Sequence, residues 1–95
     1  MPTTSKESII QSKIKAHFVK NGWLVNKIIQ STNNGWPDLE CFKNGKTIFI
    51  EAKDDKNAAP LQKYRHKLLK QQGFEVYVIK SIDELNKFKT NVKIC

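Results

Sequence analysis

Cysteine and long apolar runs are both scarce in this sequence of 95 residues. The two cysteines, Cys41 and Cys95, form neither a CxxC pair nor a cluster with histidine, so they support no structural zinc site and no disulfide framework. No apolar run approaches the roughly 20 residues that span a bilayer, and residues 1–10 lack the apolar core of a signal peptide. We therefore expect a cytoplasmic protein with reduced thiols and no membrane segment.

Acidic residues and arginine are also few. Only 9 acidic residues oppose 17 basic ones, which gives a formal net charge of +8, and Arg65 is the one arginine in the sequence. A lysine-rich surface offers point charges to phosphate groups without reading bases, although lysine also serves solubility alone in many small basic proteins. The charge favours nucleic acid as a partner and does not bear on the fold.

The remaining pattern predicts one domain over residues 1–95, with no repeat, linker or low-complexity segment. A core this small favours an oligomer. The predicted elements are a helix between the Thr4 cap and Asn21-Gly22, strands over 23–29, 38–42 and 47–53, a helix over 60–72, a strand over 74–79 and a short helix from the Ser81 cap to about 89, with the tail 92–95 as a further candidate strand. This order predicts an α/β fold in which helices pack on a mixed sheet.

A hairpin fixes the relation between two of these strands. Asn44-Gly45 between β-type runs is typical of a two-residue loop, and that loop places Asp38 directly opposite Glu51. Alternation along the strand places Lys53 on the same face. Two carboxylates held together repel each other, and a divalent cation such as Mg²⁺ or Mn²⁺ would offset the repulsion. The alternative is that Asp38 only ends a turn while Glu51 and Lys53 form a solvated surface pair.

The same residues resemble a known nuclease superfamily. Pro37-Asp38, followed after the hairpin by Glu51-Ala52-Lys53, is similar to the PD-(D/E)XK pattern. More narrowly, the chain resembles a VRR-NUC domain over residues 7–85. This narrower resemblance rests on the flanking residues 35–39 and 49–53, on Gln62, and on the helix, Gly73, strand and Ser81 that follow. The resemblance implies a restriction-endonuclease-like αβββαβ core with a short C-terminal helix.

The resemblance also implies roles for single residues. Asp38 and Glu51 would hold Mg²⁺ or Mn²⁺, the backbone carbonyl of Ala52 would be a further ligand, and Lys53 would assist phosphodiester hydrolysis. Glu7 on the first helix would reach the metal, although it also has the spacing of a helix-capping residue after Thr4. Gln62 would orient the lysine or act behind the ligands. Further candidates to contact DNA are Lys27, Ser31, Asn33, Asn34, Tyr64 and Arg65.

For function, the resemblance implies a phage- or prophage-encoded endonuclease in a bacterial cell. We expect a homodimer that cleaves branched DNA, in particular four-way (Holliday) junctions, with a helicase or recombination protein as a possible partner. The alternatives are a non-catalytic basic DNA-binding module, an accessory subunit of a larger repair or helicase complex, and a nuclease directed at RNA.

Overall fold

The computed structural model describes residues 6–28, 35–53 and 60–91, and the side chains of residues 8–28, 35–53 and 60–87. Its elements follow one another in the predicted order. They are α1 (Lys6–Lys20), β1 (Leu24–Lys27), β2 (Leu39–Lys43), β3 (Lys46–Ala52), α2 (Pro60–Gln71), β4 (Glu75–Ile79) and α3 (Ile82–Asn91). None of the described helices is both long enough and apolar enough to cross a membrane.

The four strands form one mixed sheet in the order β1-β2-β3-β4. The first two pairings are antiparallel, and β3 pairs with β4 in parallel because α2 carries the chain back between them. Asn44 and Gly45 both have positive φ, as a two-residue hairpin turn of the primed type requires. Lys43 pairs with Lys46, so the predicted hairpin register is confirmed.

Apolar side chains cover the two faces of the sheet unequally. α1 and α3 pack on one face, where the larger core lies. That core comprises Ile10, Ile14, Phe18, Trp23, Leu39, Cys41, Ile48, Ile50, Ala52, Ile79 and Leu85. α2 packs on the other face over a smaller cluster of Phe49, Leu69 and Val76, with Trp36 alongside. Glu51 follows Phe49 at strand period, so it belongs to the α2 face.

The ends of α2 follow the sequence signals. Pro60 is its first residue, where the missing amide hydrogen has no helical partner to lose. At the other end, the N–H of Phe74 donates to the carbonyl of Leu69 at 3.1 Å, and the N–H of Gly73 donates to the carbonyl of Lys70 at 3.0 Å. This pair of bonds is the Schellman arrangement that ends many helices.

Some predicted boundaries differ from those in the structure. β1 begins at Leu24, one residue after the prediction, and it ends at Lys27, although the N–H of Ile28 still donates to the carbonyl of Asp38 at 2.7 Å. The Ser81 hydroxyl accepts a bond from the Glu84 N–H at 3.1 Å, but the Glu84 side chain accepts from the N–H of Lys80 instead of Ser81. The Thr4 cap and the tail 92–95 lie outside the described residues.

Candidate active site

The hairpin brings Asp38 and Glu51 together at the end of the sheet. Leu39 pairs with Ile50, and continuing that register by one residue places Asp38 opposite Glu51 on the α2 face. The Glu51 side chain is only 1% exposed, although it is an acid. A carboxyl group so far from solvent is costly unless it is paired with other polar groups or with a cation.

Asp38 is held from two sides. The N–H of Ala52 donates to Oδ2 of Asp38 at 2.9 Å, and the Asp38 carboxyl is also hydrogen-bonded to the side chain of Glu51. Burial, followed by the hydrogen bond and the negative charge of Glu51, raises the pKa of Asp38 from 3.8 to about 7. Two carboxyls that form a hydrogen bond share a proton, so near neutral pH the pair holds a proton that a cation would displace.

Lys53 lies directly after β3, and its backbone N–H donates to the carbonyl of Ile79 at 2.9 Å. Its side chain is half-buried, and its positive charge lowers the pKa of Asp38 in opposition to the larger effects of burial and Glu51. The positive charge of Lys53 therefore acts on the Asp38 carboxyl, and Lys53 follows Glu51 by two residues on the face that the alternation along β3 predicts.

His66 is a residue of this site that was not among the site residues predicted from sequence. It is buried on α2, and its Nε2 lies 3.5 Å from Oε1 of Glu51. Burial and the nearby Lys70 lower the pKa of His66, while Asp38 acts in the opposite direction. The available signal was helical spacing, because His66 stands four residues after Gln62 and shares its helix face.

The carboxyl groups of Asp38 and Glu51 are of the kind that binds a hard divalent cation. Within the described parts of the chain, no group of three His, Cys, Asp and Glu side chains is placed to hold a metal ion. Asp38 and Glu51 offer two carboxyls in contact, and Mg²⁺ typically takes one or two carboxylates together with water and substrate phosphates. The pair therefore fits Mg²⁺ or Mn²⁺, while the role predicted for the Ala52 carbonyl stays a prediction.

Gly35 sets the distance between the segment before Asp38 and the start of α2. Its φ is +81°, and a Cβ added there would lie 3.0 Å from the backbone carbon and oxygen of Leu61. Both the left-handed conformation and the close approach require glycine at this position. Gln62 follows Leu61 on the first turn of α2 and is half-buried.

Replacement of Gly35 by alanine tests this close approach. We expect Gly35→Ala to lower the free energy of unfolding by about 2–4 kcal/mol, from left-handed strain together with crowding against Leu61. Gly45→Ala is the matched control, because Gly45 has φ +79° but nothing within 4 Å of an added Cβ, and we expect it to lose only about 1–2 kcal/mol. Urea unfolding measures both. Equal losses would show that the contact with Leu61 is not important.

The other predicted residues do not all converge on Asp38. Lys27 pairs with Leu39, so it lies on the α1 face of the sheet and is exposed there. Tyr64 is exposed on α2, and the guanidinium of Arg65 lies 5.6 Å from the Tyr64 ring centre. The side chain of Glu7 and the residues Ser31, Asn33 and Asn34 lie outside the described residues, so their roles stay predictions.

Comparison with solved structures identifies a protein with a similar fold. One structure, described as a VRR_NUC domain, aligns with a TM-score of 0.83 and 26% sequence identity over 94% of this chain and 99% of that chain. The resemblance to the VRR-NUC family is confirmed. The mixed four-stranded sheet with its helices is consistent with the VRR-NUC fold, so the predicted fold class is confirmed as well. No family model and no curated protein matches the chain.

Proposed function

We propose that this protein is a metal-dependent endonuclease that hydrolyses phosphodiester bonds in DNA. The observation that carries the proposal is the contact between the Asp38 and Glu51 carboxyls, with the positive charge of Lys53 acting on Asp38. The similarity to a VRR_NUC domain over nearly the whole of both chains supports the same reading. A net charge of +8 suits a polyanionic substrate.

Asp38 and Glu51 would hold Mg²⁺ or Mn²⁺, with Glu7 and the Ala52 carbonyl as further candidate ligands. When bound, the cation would neutralise charge on the scissile phosphate and help to activate the attacking water. The N–H of Ala52 fixes Oδ2 of Asp38 at 2.9 Å, which leaves the carboxyl turned toward Glu51. Nε2 of His66 lies 3.5 Å from Oε1 of Glu51, so His66 would limit the movement of that carboxyl.

Lys53 places a positive charge where negative charge develops on the phosphate oxygens. A fixed charge in a partly buried site stabilises such a transition state more than a solvated charge does. Lys53 also favours the ionised form of Asp38, which is the form that binds a cation. Gln62, on the first turn of α2, would orient these groups or the substrate.

For the substrate, we propose branched DNA, in particular the four-way junction, cleaved by a homodimer. A small lysine-rich protein with one arginine is better suited to the shape of the DNA backbone than to base sequence. A symmetric dimer would present two matched sites to the two opposed strands of a junction. We propose in addition that the protein is encoded by a phage or prophage, acts in a bacterial cell and has a helicase or recombination protein as its partner.

The test is cleavage of labelled four-way junction, flap, linear duplex and RNA by the purified protein in EDTA, Mg²⁺, Mn²⁺ and Ca²⁺, with the oligomeric mass measured on the same sample. We expect cleavage of the junction only with Mg²⁺ or Mn²⁺ and the mass of a dimer. Preferential cleavage of RNA would overturn the substrate. Binding without cleavage under any metal would favour the non-catalytic module, and activity gained only on adding a helicase would favour the accessory subunit.

A further inference from the structure

A pocket of about 660 Å³ lies between α2 and β4, next to the candidate active site. Side chains of α2 form one side of it, and the other side is formed by β4, which is last in the order of the described strands, and by the residue after it. Its lining residues are Lys63, His66, Lys67, Lys70, Gln71, Val78 and Lys80. The proposed function above assigns no role to this pocket.

The pocket is continuous with the site through two residues. Val78 is the register partner of Glu51 across the β3–β4 pair, so it lies beside Glu51 on the α2 face. His66 lines the pocket and also lies 3.5 Å from Oε1 of Glu51. A polymer strand that is bound at Asp38 and Glu51 and runs toward β4 therefore passes over His66 into the pocket.

The charge of the pocket is of one sign. Four of its lining residues are lysines, and none of the lining residues that the structure describes is acidic. Three of the lysines lie on one face of α2 at helical spacing, namely Lys63, Lys67 and Lys70. The rise of the helix separates Lys63 from Lys70 by about 10 Å. Neighbouring phosphates of one DNA strand are further apart than the axial rise of ~3.4 Å, because the strand also winds around the axis, so this row matches about two phosphates.

We propose that this pocket binds the sugar-phosphate backbone of the substrate strand on one side of the scissile phosphate. The inference rests on the proposed nuclease function, because it takes Asp38 and Glu51 as the point of cleavage. The lysine ammonium groups contact the phosphates, and the lysine stems with Val78 contact the sugars. The pocket makes no contact that depends on base identity, so it contributes affinity and the path of the strand but no sequence preference.

The test uses two double variants that remove the same charge from helices on opposite faces of the sheet. Lys63→Gln/Lys70→Gln alters the pocket. Lys13→Gln/Lys20→Gln is the control, because these lysines are exposed on α1 at the same spacing of seven residues, and Lys20 and Lys70 both lie in the last turn of their helices. Binding of a labelled four-way junction is measured by fluorescence anisotropy in EDTA, so that cleavage does not contribute, over a series of salt concentrations.

We expect the pocket variant to bind roughly tenfold more weakly and to reduce the slope of log K against log salt by about 1–2, whereas the control stays near wild type. Equal slopes for the two variants would overturn the pocket proposal whether or not the wild type cleaves DNA. A changed oligomeric mass of the pocket variant would also overturn it, since the pocket would then be a contact between copies of the chain. A reduced slope in a protein that never cleaves DNA would sink the nuclease proposal and leave this pocket as a backbone-binding site.

Discussion

Asp38→Asn is expected to abolish DNA cleavage and to raise the melting temperature of the metal-free protein at pH 8. The amide oxygen of Asn can still accept the hydrogen bond from the Ala52 N–H, and its NH₂ group can donate to Glu51 where a shared proton now lies. The local geometry is therefore kept while the negative charge that binds a cation is lost. We expect a fall in kcat of at least about 10³-fold.

The gain in stability follows from the raised pKa of Asp38. Because the folded protein holds this proton more tightly than the unfolded chain does, the stabilising contribution is complete below about pH 4 and is lost as the pH rises through about 7. Above pH 7 the ionised pair lowers the free energy of unfolding by about 2 kcal/mol. This figure allows for solvent screening of a partly exposed carboxyl. For a domain of this size, Asp38→Asn should then raise the melting temperature in EDTA by roughly 10 °C.

Glu40→Gln is the matched control for this experiment. Glu40 lies on β2 two residues after Asp38 and on the same face of the sheet, and its Oε1 accepts a hydrogen bond from Asn26 at 2.9 Å. The control removes the same charge and should change neither cleavage nor the pH dependence of stability. Melting curves from pH 4 to 8 and cleavage rates with Mg²⁺ give both readouts. A destabilised, inactive Asp38→Asn would show that Asp38 has a structural role instead.

Lys53→Met is expected to slow cleavage by about 10²- to 10³-fold with little change in stability. The side chain is half-buried, and methionine matches the aliphatic part of lysine without its charge. Removing that charge also raises the pKa of Asp38 further, because Lys53 now lowers it. The pH at which the rate reaches half of its maximum should therefore move upward in the variant.

Single-turnover rates from pH 6 to 9, measured with saturating Mg²⁺, test the prediction for Lys53. Lys53→Arg should recover part of the rate, because it restores the charge with a different shape. Lys27→Met is the control, since it removes one positive charge from the opposite face of the sheet and should cleave at the wild-type rate. A rate that Lys53→Met leaves unchanged would contradict the proposed role.

The sequence predicted the part of the site that depends on local geometry. A two-residue turn at Asn44-Gly45 leaves one register for the hairpin, and a single register determines which side chains face each other. Pro60 and Gly73 bounded α2 in the same local way. For these reasons the contact between Asp38 and Glu51 could be derived before any coordinates were known.

The parts that were missed depend on how separate elements pack. The face on which Lys27 lies follows from the pairing of β1 with β2, and a longer connection between those strands gives no fixed register. His66 meets Glu51 only because α2 crosses the sheet at a particular angle and height. Helical spacing places His66 on the same face of α2 as Gln62, but it does not determine where that face meets the sheet. The lysine-lined pocket beside His66 depends on the same packing.

The unequal cores on the two faces of the sheet have a consequence for motion. α1 buries Ile10, Ile14 and Phe18 completely, whereas α2 is held mainly through Leu69 over Phe49 and Val76. Amide hydrogens of α2 should therefore exchange with deuterium through smaller, more frequent local openings than those of α1. The helix that carries His66 and the lysine row would then be the first layer to separate from the sheet, and DNA bound there should slow its exchange selectively.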